Sequence, residues 1–366
     1  MRILHVFRTP TGGLFRHVRD ATRGQSMRGH AVGMVCDSTT GGETAARLLR
    51  SSAPHCQLGI HRTPISRLPG FGDFLGVRQV LAIARRLSPD IIHCHGAKGG
   101  LYGRIAGRML GIPTIYTPHG GSLHYTWSTP AGAAFLLVER LLARIGSGLH
   151  FVCAYERQQF ASKIGMASDK TAAVIYNGLW PEDFAPIPPN ADAADILFIG
   201  DMRKIKGVDI LLDALARDHD GRRMTACLVG DGPDLDRFKA MTQRLGLGGR
   251  VSFPGRLPAR AAFRLGRLLV MPSRAESFPY VVLEALAADR PIIASAVGGI
   301  PEALAAARLV APGDPAALAN ALAAAIDTTA AAMAEPDGER FRARFDALRM
   351  TDELLDFYGR LTSPAD

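Results

Sequence analysis

Short apolar runs alternate along the chain with longer stretches in which apolar residues recur every three or four positions. Apolar runs of about four to eight residues predict buried strands, whereas the longer period predicts the helices that cover them. In the first half, strands are predicted over Arg2–Phe7, Ala31–Cys36, Asp90–His95, Thr114–Thr117, Leu149–Val152 and Ala173–Ile175, and helices over Phe15–Arg28, Val77–Leu87 and Leu101–Leu110. Such alternation is typical of a parallel, doubly wound sheet with helices on both faces.

A proline-rich stretch near the middle of the chain, residues 177–195, interrupts this pattern and predicts a linker between domains. Beyond it the alternation resumes, with strands predicted over Ile196–Ile199, Ala226–Val229, Val251–Phe253, Leu268–Met271 and Ile292–Ala294, and helices over Val208–Leu215, Leu235–Leu245 and Val281–Ala288. The alanine-rich segment Ala303–Met333 is predicted to be largely helical. Two successive α/β units of this size predict two Rossmann-like domains that face each other across a cleft.

The composition is that of a folded protein with an uneven charge. Of the 366 residues, 47% are hydrophobic and 21% are charged, which excludes a disordered chain. Residues 1–183 hold 21 Lys or Arg against 10 Asp or Glu, a net charge of +11, whereas the remainder holds 22 against 24, a net charge of −2. A basic half favours an anionic partner, such as nucleic acid, a membrane surface or a phosphorylated substrate.

Targeting signals and disulfide patterns are not evident in the sequence. The first apolar run ends at Phe7, too early for a signal peptide, and the longest apolar stretch, Ala131–Leu142, is broken by Glu139 and Arg140. The five cysteines are scattered without a Cys-x-x-Cys pair, which disfavours a disulfide framework and a structural zinc site. We therefore expect a cytoplasmic protein.

The first candidate for a ligand-binding loop, Thr9–Leu14, follows a predicted strand, where open α/β sheets bind ligands. Gly12 and Gly13 lie just before a helix, so the backbone can approach a ligand and the helix N-terminus favours an anion. Alone, a Gly-Gly pair is more often a plain tight turn. It is not a Gly-x-Gly-x-x-Gly fingerprint, so no dinucleotide cofactor is indicated.

Two further loops in the second half carry charges. Gly200–Gly207 places Arg203 and Lys206 at the end of a predicted strand, where an Arg fork and a compact Lys charge suit a phosphate. Glu276–Glu284 leads into a helix predicted to start near Pro279. Its two carboxylates suit a polyhydroxylated ligand, and the backbone N–H groups at the helix start suit a diphosphate.

Together these motifs resemble the pattern of glycosyltransferase family 4. The resemblance rests on two glutamates separated by seven residues with Ser-Phe-Pro between them, and on Lys206-Gly207, Gly230–Pro233, Gly298–Glu302 and Gly12-Gly13-Leu14, in the family's order over nearly the whole chain. It implies a GT-B fold, with an acceptor-side domain over 1–183, a nucleotide-sugar domain over 184–345, and a final helix, about 346–366, that packs back on the first. It also implies a retaining, metal-independent transfer.

The resemblance further implies roles for single residues at the donor. Arg203 and Lys206 would contact the donor diphosphate, and Glu284 would bind the ribose hydroxyls. Glu276 would bind hydroxyls of the transferred sugar, helped by backbone N–H groups around three residues, Ser277, Phe278 and Pro279.

Three glycines and an arginine complete the donor set that the family implies. Gly13, next to Gly12, would bring its N–H to the diphosphate, and Gly255 with Arg256 would lie at the nucleobase. One departure is that Gly200-Asp201-Met202 replaces the Gly-Arg-Leu common in the family, so that Arg203 is expected to supply the cation two residues later.

Histidines mark the acceptor side of the expected site. The family commonly has a histidine at the position of His119, and we expect it to hydrogen-bond the transferred sugar or to assist at the reaction centre. His95, Lys98 and His124 are predicted on the acceptor side. His93 and His95 share one strand face, which could also suit a metal, but no acidic or cysteine ligand accompanies them, so no metal is expected.

The basic first half favours an acceptor at a membrane, because each basic residue near the surface of an anionic bilayer contributes about 1 kcal/mol to the free energy of binding. The arginines concerned are Arg16, Arg19, Arg23, Arg28, Arg85, Arg86, Arg104 and Arg108. We expect a peripheral protein on the inner face of the plasma membrane that glycosylates a polyprenyl-diphosphate-linked glycan in exopolysaccharide, capsule or lipopolysaccharide assembly. The donor, a UDP- or GDP-sugar, is the only expected cofactor-like molecule.

Three alternatives remain open from the sequence. The arginines can simply be solvated, without any membrane. A sugar-nucleotide 2-epimerase shares this fold. A basic nucleic-acid-binding protein is the least favoured, since aromatic residues make up only 7% and no stacking motif or basic recognition helix is present.

Overall fold

The computed structural model describes residues 1–166, 171–217, 223–326 and 338–362. The chain divides into two compact units: the first contains Met1–Gly178 and the described residues from Phe345 onward, and the second contains Leu179–Arg344. The boundary therefore falls five residues before the predicted one at 183. From Leu179 onward the proline-rich stretch belongs to the second unit, and Trp180 and Ile187 are buried. Within the described ranges, no helix combines the length and the hydropathy needed to cross a bilayer.

The first unit is a seven-stranded parallel sheet in the order β3-β2-β1-β4-β5-β6-β7. Its strands are β1 (Arg2–Val6), β2 (Ala31–Asp37), β3 (Ile60–Thr63), β4 (Ile91–His95), β5 (Thr114–Thr117), β6 (Gly148–Phe151) and β7 (Thr171–Val174). Its helices are α1 (Gly12–Met27), α2 (Gly42–Ser52), α3 (Gly72–Leu87), α4 (Gly96–Leu110), α5 (Pro130–Leu142), α6 (Ala154–Lys163) and α14 (Ala347–Thr362). Among these strands, β3 has no predicted counterpart, because this edge strand reads Ile-His-Arg-Thr and has no continuous apolar run. Helices α2, α5 and α6 were not predicted either.

The second unit is a six-stranded parallel sheet in the order β10-β9-β8-β11-β12-β13. Its strands are β8 (Ala194–Ile199), β9 (Ala226–Val229), β10 (Val251–Gly255), β11 (Gly266–Met271), β12 (Ile292–Ser295) and β13 (Leu309–Val310). Its helices are α7 (Val208–Leu215), α8 (Leu235–Arg244), α9 (Ala259–Ala262), α10 (Tyr280–Ala287), α11 (Ile300–Ala303), α12 (Pro315–Ile326) and α13 (Gly338–Arg344). The alanine-rich segment thus contains α12, preceded by the short strand β13, and its end lies outside the described residues.

Two helical layers cover the first sheet. Helices α3, α4 and α5 share one apolar cluster, to which they contribute Val80, Tyr102 and Leu136, whereas α1 and α14 share a cluster on the opposite face. A Cβ at Gly24 of α1 would collide with the side chain of Thr351 on α14, so the glycine allows these two helices to approach closely. The last helix of the chain is therefore part of the core of the first unit.

The arginines of the first half do not form one basic surface. On α1, Arg16 and Arg28 pair with Asp20 and Asp352, at 2.5 and 2.7 Å, in the layer that contains α14. Arg85, Arg86 and Arg108 belong to α3 and α4, in the opposite layer, and are exposed at its surface.

Arg104 is a core residue, so its predicted place in a membrane-facing patch is wrong. Its side chain is fully buried, its guanidinium lies 2.6 Å from Oε1 of Glu139, and it stacks on the ring of Tyr116 at 3.9 Å. The helical period places Arg104 on the face of α4 that packs against the sheet. A charged side chain is tolerated there only because a buried carboxylate pairs with it.

Candidate functional site

Two loops of the second unit bring Lys206 and Glu276 together. One follows β8 and forms a single 3-10 turn, Lys204–Lys206, before α7, and the other joins β11 to α10. Since β8 and β11 are neighbouring parallel strands, these loops leave the same edge of the sheet. Lys206 Nζ lies 2.7 Å from Oε1 and 2.8 Å from Oε2 of Glu276.

The turn that carries Lys206 is fixed from both sides. Gly207 has φ +70°, and a Cβ there would collide with the carbonyl oxygen of Pro272, so only glycine fits. Arg274 donates to the carbonyl of Lys204 at 2.7 Å and grips both carboxylate oxygens of Asp209, at 2.6 and 2.9 Å. The sequence analysis missed Arg274, whose role depends on a partner 65 residues away.

Glu276 is a buried carboxylate with a defined set of donors. It is only 8% exposed, and Ser273 Oγ donates to its Oε1 at 2.7 Å. An ammonium group has three N–H donors, of which the carboxylate engages two, so Lys206 keeps one donor for an anionic ligand. The pair can therefore present a positive charge and a carboxylate to one ligand.

The start of α10 adds a helix N-terminus beside Glu276. Gly299 N–H donates to the carbonyl of Ser277 at 2.6 Å, which braces the loop. Pro279 is the N-cap residue, Phe278 before it is buried, and neither a capping side chain nor an acidic residue compensates the first turn. The partial positive charge of this N-terminus adds to the positive potential beside Glu276. Glu284 lies one turn further along the helix and is partly exposed.

The other predicted donor residues lie on surface loops of the same unit. Arg203 is partly exposed and directly precedes the 3-10 turn. At the end of β10, Gly255 has φ +84° with open space where a Cβ would lie. Arg256 is exposed and lies 3.7 Å from Asp201.

In the first unit, α1 begins directly at the Gly12-Gly13 pair. Gly12 has φ +78°, both glycines are exposed, and no side chain caps the helix or places an acidic group in its first turn. The geometry suits an anion at the N–H groups of this helix, as the sequence predicts.

His119 occupies a strained loop after β5. It has φ +53°, a region that a non-glycine residue rarely adopts, and Gly120 follows with φ +77°. Buried Glu156 ties the loop down, because its carboxylate accepts from Gly120 N–H at 2.6 Å and from Val152 N–H at 3.1 Å. Strain of this kind is concentrated at functional sites.

Five more histidines accompany His119 in the interior of the first unit, so the cluster consists of His5, His17, His93, His95, His119 and His150. Neighbouring ring centroids lie 4.0 Å apart for His93 and His95 and 5.1 Å apart for His17 and His119. Burial lowers the pKa of His5 and His150 to about 4 and that of His119 to about 3. The rings are therefore neutral at pH 7.

Eight hydrogen bonds run through five of these rings to a backbone carbonyl. They join His119 Nε2 to His95 Nδ1 (3.1 Å), His95 Nε2 to His5 Nδ1 (2.9 Å), His5 Nε2 to Gln25 Oε1 (2.9 Å), Gln25 Nε2 to Tyr358 Oη (3.2 Å), Tyr358 Oη to His93 Nδ1 (2.6 Å), His93 Nε2 to Thr117 Oγ1 (2.7 Å), Thr117 Oγ1 to His150 Nδ1 (2.8 Å) and His150 Nε2 to Ile175 O (3.0 Å). His17 stands apart, with Nδ1 3.0 Å from Asn177 Oδ1 and a buried Nε2 without a partner.

The residues predicted on the acceptor side separate into interior and surface. His95 is 1% exposed with both ring nitrogens in hydrogen bonds, so its ring belongs to the interior, and its predicted place on the acceptor side stays a prediction. Lys98 pairs with Asp73 of α3. His124 is exposed, and its ring packs so closely over Gly120 that a Cβ there would lie 2.5 Å from Nε2.

The histidine cluster also bears on a metal. The nitrogens of His5, His93 and His95, and those of His17, His95 and His119, lie within 4.8 Å of one another in each group. From the sequence, His93 and His95 alone were considered as metal ligands, and His5 joins them because it pairs with His93 in the β1–β4 register. A metal ion would have to replace hydrogen bonds that the rings already make.

Comparisons with known proteins match both units. Residues 12–178 match a family model described as glycosyl transferase 4-like domain, and residues 193–328 match one described as glycosyl transferases group 1. The D-inositol 3-phosphate glycosyltransferase 1 of Catenulispora acidiphila is 31% identical over 301 residues, which are 74% of this chain and 72% of that protein.

Two solved structures share the fold over almost the whole chain. Anabaena HepE in complex with UDP-glucose has a TM-score of 0.80 at 23% identity, covering 98% of this chain and 100% of that one. Sucrose-phosphate synthase from Thermosynechococcus elongatus has a TM-score of 0.81 at 22% identity, covering 100% of both. The family resemblance of the motifs is confirmed, and this chain is a glycosyltransferase that belongs to family 4 and has the GT-B fold.

Proposed function

We propose that the protein transfers a sugar from a nucleotide sugar to a glycan acceptor with retention of the anomeric configuration. The observation that carries this proposal is the Lys206–Glu276 pair, which offers an N–H donor for a phosphate and a buried carboxylate for sugar hydroxyls at one place. HepE binds UDP-glucose, so a UDP-sugar is our first candidate for the donor and a GDP-sugar is the second.

The proposed chemistry places positive charge where the leaving group gains negative charge. As the bond between the anomeric carbon and the diphosphate oxygen breaks, its electrons pass to that oxygen. The oxygen of the acceptor hydroxyl bonds to the anomeric carbon, and its proton passes to the departing phosphate. Lys206, Arg203 and the uncompensated N-terminus of α10 supply stabilising charge in the second unit. With these groups in place, we propose that the transfer needs no metal ion.

A screen of nucleotide sugars tests this function. We expect UDP-sugars to raise the melting temperature more than GDP- or ADP-sugars do, because a ligand that binds only the folded state stabilises it. The donor selected should then yield a glycoside whose anomeric configuration, read by NMR, equals that of the donor. No stabilisation by any nucleotide sugar would contradict the proposal, and an isomerised donor without acceptor would identify a 2-epimerase.

For the acceptor, we propose a lipid-linked glycan at an anionic membrane. One helical layer of the first unit exposes large apolar side chains: Leu68, Phe71, Phe74 and Leu75 at and before the start of α3, and Leu137, Val138 and Leu141 on α5. The same helices carry exposed arginines, Arg78, Arg85, Arg86 and Arg140. Apolar side chains among basic ones are typical of surfaces that bind an anionic bilayer.

Vesicle sedimentation tests the membrane surface. We expect Phe71→Ser/Phe74→Ser to lower binding to anionic phosphatidylglycerol vesicles several-fold, because both rings are more than half exposed. Met27→Ser, which removes an exposed apolar side chain from α1 in the other layer, is the matched control and should bind as the native protein does. Native binding that is absent at low salt, or insensitive to both lipid charge and salt, would contradict the membrane proposal.

A phosphorylated cyclitol is the second candidate acceptor. It is favoured by the named activity of the Catenulispora relative, a D-inositol 3-phosphate glycosyltransferase. Offering D-inositol 3-phosphate and a polyprenyl-diphosphate glycan in parallel, with the same donor, separates the two, since only the true acceptor should increase nucleotide release above the rate with donor alone.

A further inference from the structure

We propose that Gln25 and Tyr358 are positioning residues, which act through a one-directional chain of hydrogen bonds to hold His119 in the tautomer with the proton on Nε2 and the lone pair on Nδ1. The proposal deepens the proposed function, because His119 is the histidine expected at the transferred sugar. It rests on assigning a donor and an acceptor to each of the eight hydrogen bonds, starting at the end of the series, where a backbone carbonyl can only accept.

That group is the carbonyl oxygen of Ile175. It accepts from His150, so the His150 proton is on Nε2, and Nδ1 of this neutral ring must accept. Thr117 therefore donates its hydroxyl proton to His150, which leaves its oxygen as the acceptor for His93 Nε2–H. His93 Nδ1 in turn must accept, so Tyr358 is its donor.

The same reasoning fixes the direction of donation from Tyr358 through the amide of Gln25 to His119 in the loop after β5. Because Tyr358 gives its only proton to His93, its oxygen accepts from Gln25 Nε2, which leaves Gln25 Oε1 to accept from His5 Nε2–H. His5 Nδ1 must then accept from His95 Nε2–H, and His95 Nδ1 from His119 Nε2–H. The neutral His119 ring is left with its lone pair on Nδ1.

The direction of donation depends on every hydrogen bond in the series, because each neutral ring can donate from either nitrogen and is therefore compatible with both directions. In the reverse order, Gln25 would turn its amide and donate to His5 Nε2, His5 and His95 would donate from Nδ1, and His119 would carry its proton on Nδ1. The reverse order is excluded in the native protein, since it would require His150 to be protonated on both nitrogens, and burial lowers the pKa of this ring to about 4.

Tyr358 is thus the link between the fixed end and the His119 end. Tyr358→Phe removes one hydroxyl and cuts the chain in two. His93 and His150 remain anchored to Ile175, whereas Gln25, His5, His95 and His119 become free to reverse. A group that needs the Nδ1 lone pair would then be competent for a fraction of the time only, and transfer should fall by about two- to tenfold.

The test reads the tautomers directly, without substrate. In deuterated protein labelled with ¹⁵N-histidine at pH 7.5, His5, His93, His95, His119 and His150 should each show a pyridine-like Nδ1 and a pyrrole-like Nε2, assigned by single His→Gln variants. In Tyr358→Phe, only His5, His95 and His119 should move to averaged shifts. The matched control is Tyr116→Phe, which removes a buried hydroxyl bonded to Glu139 at 3.1 Å, outside the chain, and should change no tautomer.

Native shifts that show His119 averaged, or protonated on Nδ1, would overturn the proposal, as would unchanged His119 shifts in Tyr358→Phe. If Tyr358→Phe does not fold, Gln25→Met makes an equivalent cut and should free His5, His95 and His119 alike. These spectra are independent of donor and acceptor. A failure of the glycosyl transfer proposal would therefore leave them unchanged, and the two failures are distinguishable.

Discussion

Lys206→Ala should lower sugar transfer by about 10²- to 10³-fold while the protein remains folded. In the proposed function the ammonium group would stabilise the negative charge that develops on the departing diphosphate, and removal of one preorganised donor of this kind reduces turnover by such a factor. The same substitution leaves the carboxylate of Glu276, which is 8% exposed, without its cation. One consequence acts on the leaving group and the other on the carboxylate proposed to hold the sugar, so we expect the loss in kcat rather than in donor affinity alone.

A double-mutant cycle measures the coupling between Lys206 and Glu276 separately from the effect of each side chain alone. We expect Lys206→Ala/Glu276→Ala to be little worse than the stronger single variant, because each removes the partner that the other needs. Lys239→Ala on α8, an exposed lysine of the same unit, is the charge-matched control and should retain native turnover. Release of nucleoside diphosphate is the measurement, and strictly additive losses would contradict a joint role of the two side chains.

Acid should unfold the first unit well above the pH at which exposed carboxylates titrate. Burial lowers the pKa of His5 and His150 to about 4 in the folded protein, against about 6.5 in the unfolded chain. Above pH 6.5 both states leave these rings neutral and the full stability is present. Below it the unfolded chain binds protons first, so stability is lost as the pH falls toward 4, by roughly 2 to 3 kcal/mol for each such ring at about pH 4.5.

The cluster multiplies this loss. Burial also lowers the pKa of His17, His93 and His95 well below the usual value, and that of His119 to about 3. For His5, His119 and His150 alone, losses of roughly 2 to 3 kcal/mol each are together comparable with the whole stability of a typical domain, about 5–15 kcal/mol. We therefore expect the free energy of unfolding near pH 5 to change by at least about 4 kcal/mol per pH unit, the uptake of three protons.

Urea unfolding between pH 7.5 and pH 5 measures this slope. The chain has two tryptophans, so Trp180→Phe leaves Trp127 as a reporter of the first unit. His17→Gln should reduce the slope by about one proton. Ile3→Val, a change in the buried part of β1, should lower stability by about 1 kcal/mol at every pH without changing the slope. A native slope below one proton would mean that the rings are already charged in the folded protein.

The order of strands and helices could be predicted from the sequence because buried parallel strands have continuous runs of apolar residues. Thr114–Thr117, Val208–Leu215 and Ala226–Val229 have the predicted bounds. Arg104 was placed wrongly because a helical pattern indicates which face of the helix a residue is on. It does not indicate whether a carboxylate such as Glu139 is buried beside it. The pairing partner lies 35 residues away and is set by packing.

For the candidate site, loops at strand ends were predictable and interior networks were not. Lys206 and Glu276 were found because strand ends in α/β sheets are where ligands bind, and the fold brings the two side chains within 2.7 Å. The partners of His119 were missed because they come from β1, β4, β6, α1 and α14, and each histidine alone looks like an ordinary core or loop residue. Only strand register reveals that they share one interior.

The return of α14 to the first unit has a consequence during synthesis. Unit one lacks its last helix until the ribosome has added the 166 residues of Leu179–Arg344, which at about 5–20 residues per second takes about 10 to 30 s. During that interval the surface of α1 around Gly24 lacks its neighbour on α14, and His93 Nδ1 lacks its hydrogen-bond partner Tyr358. The nascent chain therefore exposes an unfinished core to chaperones. A premature stop codon ahead of α14 would therefore damage the part of the protein that was made first.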